Sequence, residues 1–433
     1  MMIKRLFYSS LLLTALNHFQ LSAVIIGSET VVSVQAAATF PSADTDNTML
    51  GFAWFKNGFT LQDNLTSVTY DSVYPISGGV DMRGGTLYLS DDLYFNDVTN
   101  LQGLGTIVGN DHIVDLCPSI TALPSTINVI ENLVLSFRDD LALSSSLICN
   151  GECTINGFGN NLTLDPNAFI VVQPSSRLTL RNMIVEGIAG NQIACADDSA
   201  TLVLDGVVWI QSAATAFNQG SILFDNMVDF NGTGTFFYTS SQTSTINQRA
   251  TWNIGNGMAL SIGRQAVGAN EPLNFTDNTS RLVFDNSTFS VSPGGIHLLN
   301  GVIQLSRNVI VDVNSTSTVN GFHFGDGNPA HDLTLELIPG AQLKVTKGHW
   351  ILDDGTTSNI KSTSTISRLI RTSPSTFYLK NDLQVPAMTL ETSAVAASVF
   401  DVGKVLTFKN SSVVLGSNEF DITGTRYDPV TME

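Results

Sequence analysis

The stretch Ser176-Arg177-Leu178-Thr179-Leu180-Arg181-Asn182-Met183-Ile184-Val185-Glu186-Gly187 decides how the chain folds. Leu178 and Leu180 alternate with Thr179 and Arg181, a period of two that sends apolar side chains to one face of a strand. Asn182 ends that strand. Asparagine tolerates the left-handed backbone region and hydrogen-bonds local backbone, so it suits a sharp corner. Met183, Ile184 and Val185 begin the next strand.

Versions of this unit recur. Leu202-Val203-Leu204-Asp205-Gly206 turns on glycine, and Ile222-Leu223-Phe224-Asp225-Asn226 restores the asparagine. Trp252 to Asn256, Leu282 to Asn286, Phe377 to Asn381 and Leu406 to Asn410 follow, while Ile303-Gln304-Leu305 reaches Asn308 one residue late. The starts at 178, 202, 222, 252, 282 and 303 are 24, 20, 30, 30 and 21 residues apart. A loose period with a fixed strand-and-corner unit fits a coil of parallel strands, one turn per repeat, with loops of variable length. The expected inward columns are Leu178, Leu202, Ile222, Trp252, Leu282 and Phe377, and beside them Leu180, Leu204, Phe224, Ile254, Phe284 and Leu379. The expected corner residues are Asn182, Gly206, Asn226, Asn256, Asn286, Asn381 and Asn410, forming a ladder that satisfies backbone groups.

On these units, and on the run Ile155 to Leu164 (INGFGNNLTL) leading into Phe169 to Asn182, the chain resembles the right-handed parallel β-helix, or pectin-lyase-like, superfamily over roughly Leu87 to Val414. The resemblance implies an all-β fold, a right-handed solenoid. It leaves activity open, because that superfamily holds polysaccharide lyases, glycoside hydrolases, adhesins and inert surface proteins. It also implies what an enzyme would carry: a Ca²⁺-binding set of acids with an arginine base, or an Asn-Thr-Asp, Asp-Asp, Gly-His-Gly and Arg-Ile-Lys set. Gly-His-Gly and Arg-Ile-Lys are missing. The Asp-Asp pairs Asp91-Asp92, Asp139-Asp140, Asp197-Asp198 and Asp353-Asp354 read as turn residues. No catalytic residue is therefore assigned, and a non-catalytic surface or secreted type is expected.

The 433 residues carry 20 Lys plus Arg against 38 Asp plus Glu, a net charge of −18. Such a surface repels phosphates, which argues against nucleic acid and anionic membranes as partners and is compatible with cations or neutral glycans. With 43% apolar and 13% charged residues there is material for a core, and a solenoid accommodates this length as one elongated domain.

Lys4 and Arg5, the apolar run Leu6 to Leu16 and Leu21-Ser22-Ala23 read as an export signal over 1–23, with a second cleavage site as late as 36. The run is too short to span a bilayer, and no later stretch is long and apolar enough. Residues 39–85, with Phe52, Trp54, Phe55 and Phe59, read as an N-terminal aromatic cap over the open end of the coil. The β-helix itself is expected over 86–425.

Four cysteines, Cys117, Cys149, Cys153 and Cys195, allow two disulfides with three possible pairings in an exported chain. Cys149 and Cys153 flank Asn150-Gly151, so a local bridge across that turn is one of them. Their spacing does not suit zinc. If Asp205 and Asp225 lie on adjacent rungs, two carboxylates face outward about 5 Å apart, a spacing for Ca²⁺ or a retaining glycosidase pair, or simply for capping a turn. His323, Asp326 and His331 share a glycine-rich stretch, Gly321 to His331, readable as a ligand loop or a solvent-facing insertion. Eight Asn-x-Ser/Thr sequons, from Asn64 to Asn410, match what so Asn- and Ser-rich a chain holds by composition. The outward positions Thr179, Val203, Leu223, Asn253 and Val283 include three apolar residues, a stripe for loops to cover or for a partner to contact. Together these features point to binding, adhesion or display at or beyond the cell surface. A polysaccharide-active enzyme and a structural envelope component are the competing classes.

Overall fold

Short runs of alternating inward and outward side chains build the described strands, and several of them stop or turn at a residue with positive φ, as at Asn132, Asn182, Gly206, Asn226 and Asn286. In Ile113–Leu116, Asn161–Leu164, Thr251–Ile254 and Arg281–Phe284 alternate residues are buried. The computed structural model describes the backbone over 104–347, except 126, 267–268, 315–319 and 325–332, together with isolated strands on either side. The protein is an all-β parallel solenoid of about nine turns, with no helix among the described residues. The expected export signal and the cap aromatics Phe52, Trp54, Phe55 and Phe59 lie outside the described residues, as do the corners Asn381 and Asn410. The chain divides into two units, Met1–Ile184 and Val185–Glu433.

In the first unit each turn has three faces. Leu104–Val108, Val129–Glu131, Leu147–Asn150 and Ile170–Val172 pair in parallel on the first. Ile113–Leu116, Val134–Phe137, Glu152–Asn156 and the start of Arg177–Gly190 pair on the second. Ala122–Leu123, Leu141–Leu143 and Asn161–Leu164 form the third. Register stacks Val114, Leu135, Ile155 and Leu180 in one inward column, each at most 2% exposed. Burying each such side chain contributes on the order of 1.5–3 kcal/mol.

The corner between the first and second faces is braced from rung to rung. Asn132 (φ 45°) turns it on one rung and Gly151 (φ 64°) on the next. The Asn132 side-chain oxygen accepts the Glu152 backbone N–H at 3.0 Å, and the Gly151 N–H donates to Ser176 Oγ at 2.8 Å. A Cβ on Gly151 would meet Asn132 Oδ1 at 2.0 Å, so glycine is required there.

In the second unit the recurrent leucine-and-asparagine units do not form one column, which corrects the expectation. Leu202 pairs with Ile222 and Leu204 with Phe224, and that face continues to Ile246 and Phe275. Trp252 instead pairs with Val228 before it and Leu282 after it, then Ile303 and Leu335. Phe377 pairs with Trp350 on a further face, after Phe322. Gly206 and Asn226 therefore turn the corner into the face of Trp252, whereas Asn256 and Asn286 turn the corner out of it. The physical reason is that two inward residues followed by a turn residue can build more than one corner of the coil, as they do after Phe224 and after Phe284.

The asparagine ladder is also more varied than expected. Asn182, Asn226 and Asn286 have φ of 47°, 53° and 47°, but beside Asn256 it is Gly257 that takes φ 80°. Asn286 Nδ2 donates to Asn256 Oδ1, and Asn226 Nδ2 donates to Asp205 Oδ1 at 2.5 Å, so these links join side chains. Asn226→Val places a β-branched residue at positive φ and breaks a charge-assisted hydrogen bond, and urea unfolding is expected to show a loss of about 2 kcal/mol. Asn226→Gly, which keeps the turn but loses the same hydrogen bond, is expected to lose less than the valine variant. Equal midpoints for the valine variant and the parent would contradict the corner role.

The core of this unit is aromatic. Trp252 stacks on Phe224 with ring centroids 4.1 Å apart and meets Phe230 edge-on at 5.4 Å, while Trp209 stacks on Phe230 at 5.2 Å. Phe230 and Phe236 close the cluster at 4.9 Å.

Candidate functional site

Asp205 and Asp225 do lie on adjacent rungs, in register. Their oxygens serve the corner beside them. Asp205, 8% exposed, accepts the Asn226 amide, and Asp225 Oδ1 accepts the Asn226 backbone N–H at 3.0 Å. The Asp-Asp pairs act similarly. Asp92 accepts the Ile113 N–H, Asp140 the Asn161 N–H, and Asp197 both the N–H and the hydroxyl of Ser199; Asp353-Asp354 lies outside the described residues. Other outward charges are tied between rungs, as in Arg138 with Asp115, Arg307 with Asp285 and Arg281 with Glu336. Among the described residues no three His, Cys, Asp or Glu side chains are grouped to hold a metal ion.

The outer apolar stripe splits as its inner partners do. Val203 pairs with Leu223 on one face and Asn253 with Val283 on another. Val203 is only 3% exposed, and Asn253 donates to Asp229 on the rung before it.

All four cysteines are thiols. Cys117 is half-buried with its sulfur 2.9 Å from Ser119 Oγ. Cys195 is buried, and desolvation pushes its thiol up to about 12. Cys149 and Cys153 are buried on either side of the Gly151 corner, where Cys153 Sγ donates to Asn150 O at 3.1 Å.

A cluster of four titratable side chains forms on the second unit, and only His323 had been singled out. Ile296–Leu298 and Phe322–Phe324 are paired strands of the form apolar-His-apolar, which puts His297 beside His323. Their rings lie 3.9 Å apart at 46°. His323 thus belongs to a strand, not to a loop; Asp326 and His331 lie outside the described residues. Glu271 reaches this pair from before the strand Leu273–Phe275. Its Oε2 accepts the His297 backbone N–H at 2.8 Å, and its Oε1 lies 3.7 Å from His297 Nδ1 and 3.6 Å from an Arg264 guanidinium nitrogen. Arg264 is itself fixed, with Nε donating to Gly294 O at 3.0 Å and its backbone N–H to Gly295 O at 2.8 Å.

Burial pushes the Glu271 carboxyl above its ordinary value, against the pull of the His297 amide, Arg264 and His323. A carboxyl disfavoured as an anion by burial holds its proton to higher pH than an exposed one, which is the property of a general acid. The linkage sign follows. A raised carboxyl value in the folded state means that the folded protein binds the proton more readily than the unfolded chain. Glu271 then favours folding at acid pH and loses that contribution as pH rises through its raised value. Glu271→Gln keeps the acceptor for His297 and removes the titration. Urea midpoints measured as pH is raised above 4.5 are expected to fall less for the variant than for the parent; parallel profiles would refute the assignment.

On the first unit a large aromatic is held where folding gains little from it. Phe158 has φ 52° and is 49% exposed. The Arg138 guanidinium lies 4.2 Å above its ring and is anchored to Asp115 at 2.9 Å. Phe158 sits within Ile155 to Leu164, quoted above for the resemblance, but nothing in its spacing marked it as outward.

No family model, no curated protein and no solved structure matches this chain. The class that the coordinates define is a parallel β-solenoid. No helix among the described residues is long and apolar enough to cross a membrane.

Proposed function

We propose that this chain is an exported, right-handed β-helix protein of pectin-lyase-like type that binds glycans or a neighbouring cell-surface protein at or beyond the cell surface. One observation carries the reading: Phe158 is kept half-exposed in a backbone region that costs a bulky residue about 1–3 kcal/mol, under a guanidinium already committed to Asp115. A core does not need that ring, whereas a sugar face or an apolar protein loop can stack on it. The acidic surface favours neutral ligands over anionic ones. The right hand follows the general preference of parallel strand crossovers.

The second reading, a polysaccharide-active enzyme, is supported by the Glu271 acid beside His297. A glycan array probed with the full chain, with Ca²⁺ and with a chelator, tests the first reading. Binding that Phe158→Ala abolishes while unfolding is unchanged is the expected result, with Ca²⁺ having no effect. An array without binding, or binding indifferent to Phe158→Ala, sinks the reading. Release of unsaturated uronides or new reducing ends, lost in Glu271→Gln, would establish the second instead.

A further inference from the structure

Cys149 and Cys153 stand out as a matched pair. Cys149 is flanked in register by Ile130 and Val172, and Cys153 is followed in register by Leu178. Aliphatic side chains thus fill the equivalent inward positions on neighbouring rungs, and packing alone does not call for sulfur at either site. The two thiols enter the core from different faces of the same rung, and the Gly151 turn brings them together. That turn is held from above by Asn132 and from below by Ser176. Cys153 Sγ lies 3.1 Å from Asn150 O, inside the corner, and 3.5 Å from Ile130 O. Cys149 and Cys153 are 0% and 2% exposed.

We propose that Cys149 and Cys153 are a redox modification site that closes to a disulfide within one rung, tying the first and second faces of the coil together at the Gly151 corner. The oxidant is a disulfide of the glutathione class. The Cys153 thiolate attacks one sulfur of that disulfide and expels a thiolate, forming a mixed disulfide. Cys149, as thiolate, then attacks the Cys153 sulfur and expels the second thiolate. Two electrons pass to the oxidant, and the protons leave to solvent. Interaction with the neighbouring thiol lowers Cys153, and interaction with Cys153 together with burial raises Cys149, which makes Cys153 the first nucleophile. Because both sulfurs are buried, the exchange takes place as the rung forms or when it opens.

The test uses the full chain in two arms: folded protein incubated with glutathione disulfide, and unfolded, reduced protein refolded in a glutathione redox buffer. Remaining thiols are alkylated under denaturing conditions and the chain is digested without reductant. The expected product in at least one arm is a peptide spanning 149–153 that is lighter by two hydrogens and unalkylated, with Cys117 and Cys195 alkylated. Cys153→Ser should leave Cys149 fully alkylated. Since the wild-type mass alone decides the point, a variant that misfolds leaves the test intact. Full alkylation of Cys149 and Cys153 in both arms, or linkage of either to Cys117 or Cys195, would overturn the proposal.

Discussion

Trp252→Ala is expected to destabilise the second unit by about 3–5 kcal/mol in urea unfolding, the largest effect of any single truncation in its core. Trp252 is 1% exposed and touches Phe224, Phe230 and Phe236, so removing it leaves a void bounded by rings. Those rings belong to neighbouring strands of the coil and cannot collapse inward without breaking register. Trp252→Phe is expected to cost much less. The indole N–H is buried without a hydrogen-bond acceptor, a penalty of about 1–3 kcal/mol that phenylalanine does not carry. Equal losses for the alanine and phenylalanine variants would show that the ring packing is not what holds the column.

Gly232→Val is expected to cost about 3 kcal/mol or more. Gly232 has φ 107°, a region that side chains avoid, and a Cβ there would lie 2.0 Å from the Gln211 carbonyl oxygen on the adjacent rung. That carbonyl accepts the Thr233 N–H at 3.1 Å, and the Gln211 side chain bonds Thr233 O and Thr215 Oγ1, so backbone and side-chain links are disturbed together. Gly257→Val is the control. Gly257 also has positive φ, at 80°, but a Cβ there meets nothing within 4 Å, and the expected loss is about 1–2 kcal/mol. Melting of the two variants side by side separates contact between rungs from strain within one.

How far the sequence discloses this fold depends on the feature. Alternation and the corner residue are local, so Leu202 to Gly206 and Ile222 to Asn226 could be recognised as stacked units, and they are adjacent and in register. Which face a unit occupies is a non-local property. The step from Ile222 to Trp252 spans a full turn and one side more, and nothing in the two pentapeptides records that. Asn110 and Asn132 turn corners as well, with φ of 50° and 45°, but a polar residue, Thr106 or Asn128, stands four before each asparagine, where the recurrent unit has its first apolar residue. Asn150-Gly151 was visible as a turn; its brace by Asn132 and Ser176, some 20 and 25 residues away, was not.

The candidate sites divide in the same way. Adjacent acids were legible at Asp205 and Asp225, yet their partners are the asparagine at the corner rather than each other. The cluster around Glu271 joins residues from three separate segments, and the only sequence signal for it was the repeat of apolar-His-apolar at Ile296 to Leu298 and Phe322 to Phe324. Phe158 was hidden because exposure at a corner depends on the direction of one Cα–Cβ bond, which the alternation of its neighbours does not set.

Short-span thiol cross-linking tests the coil most directly. Asp229 and Asn253 are outward partners on successive rungs, whereas Leu223 and Asn253 occupy different faces. With dibromobimane and peptide mapping, the Asp229→Cys/Asn253→Cys chain is expected to bridge readily and the Leu223→Cys/Asn253→Cys chain not at all. Bridging in the second chain with none in the first would mean that the leucine-and-asparagine units stack directly on one another, and the three-sided parallel coil described here would be wrong.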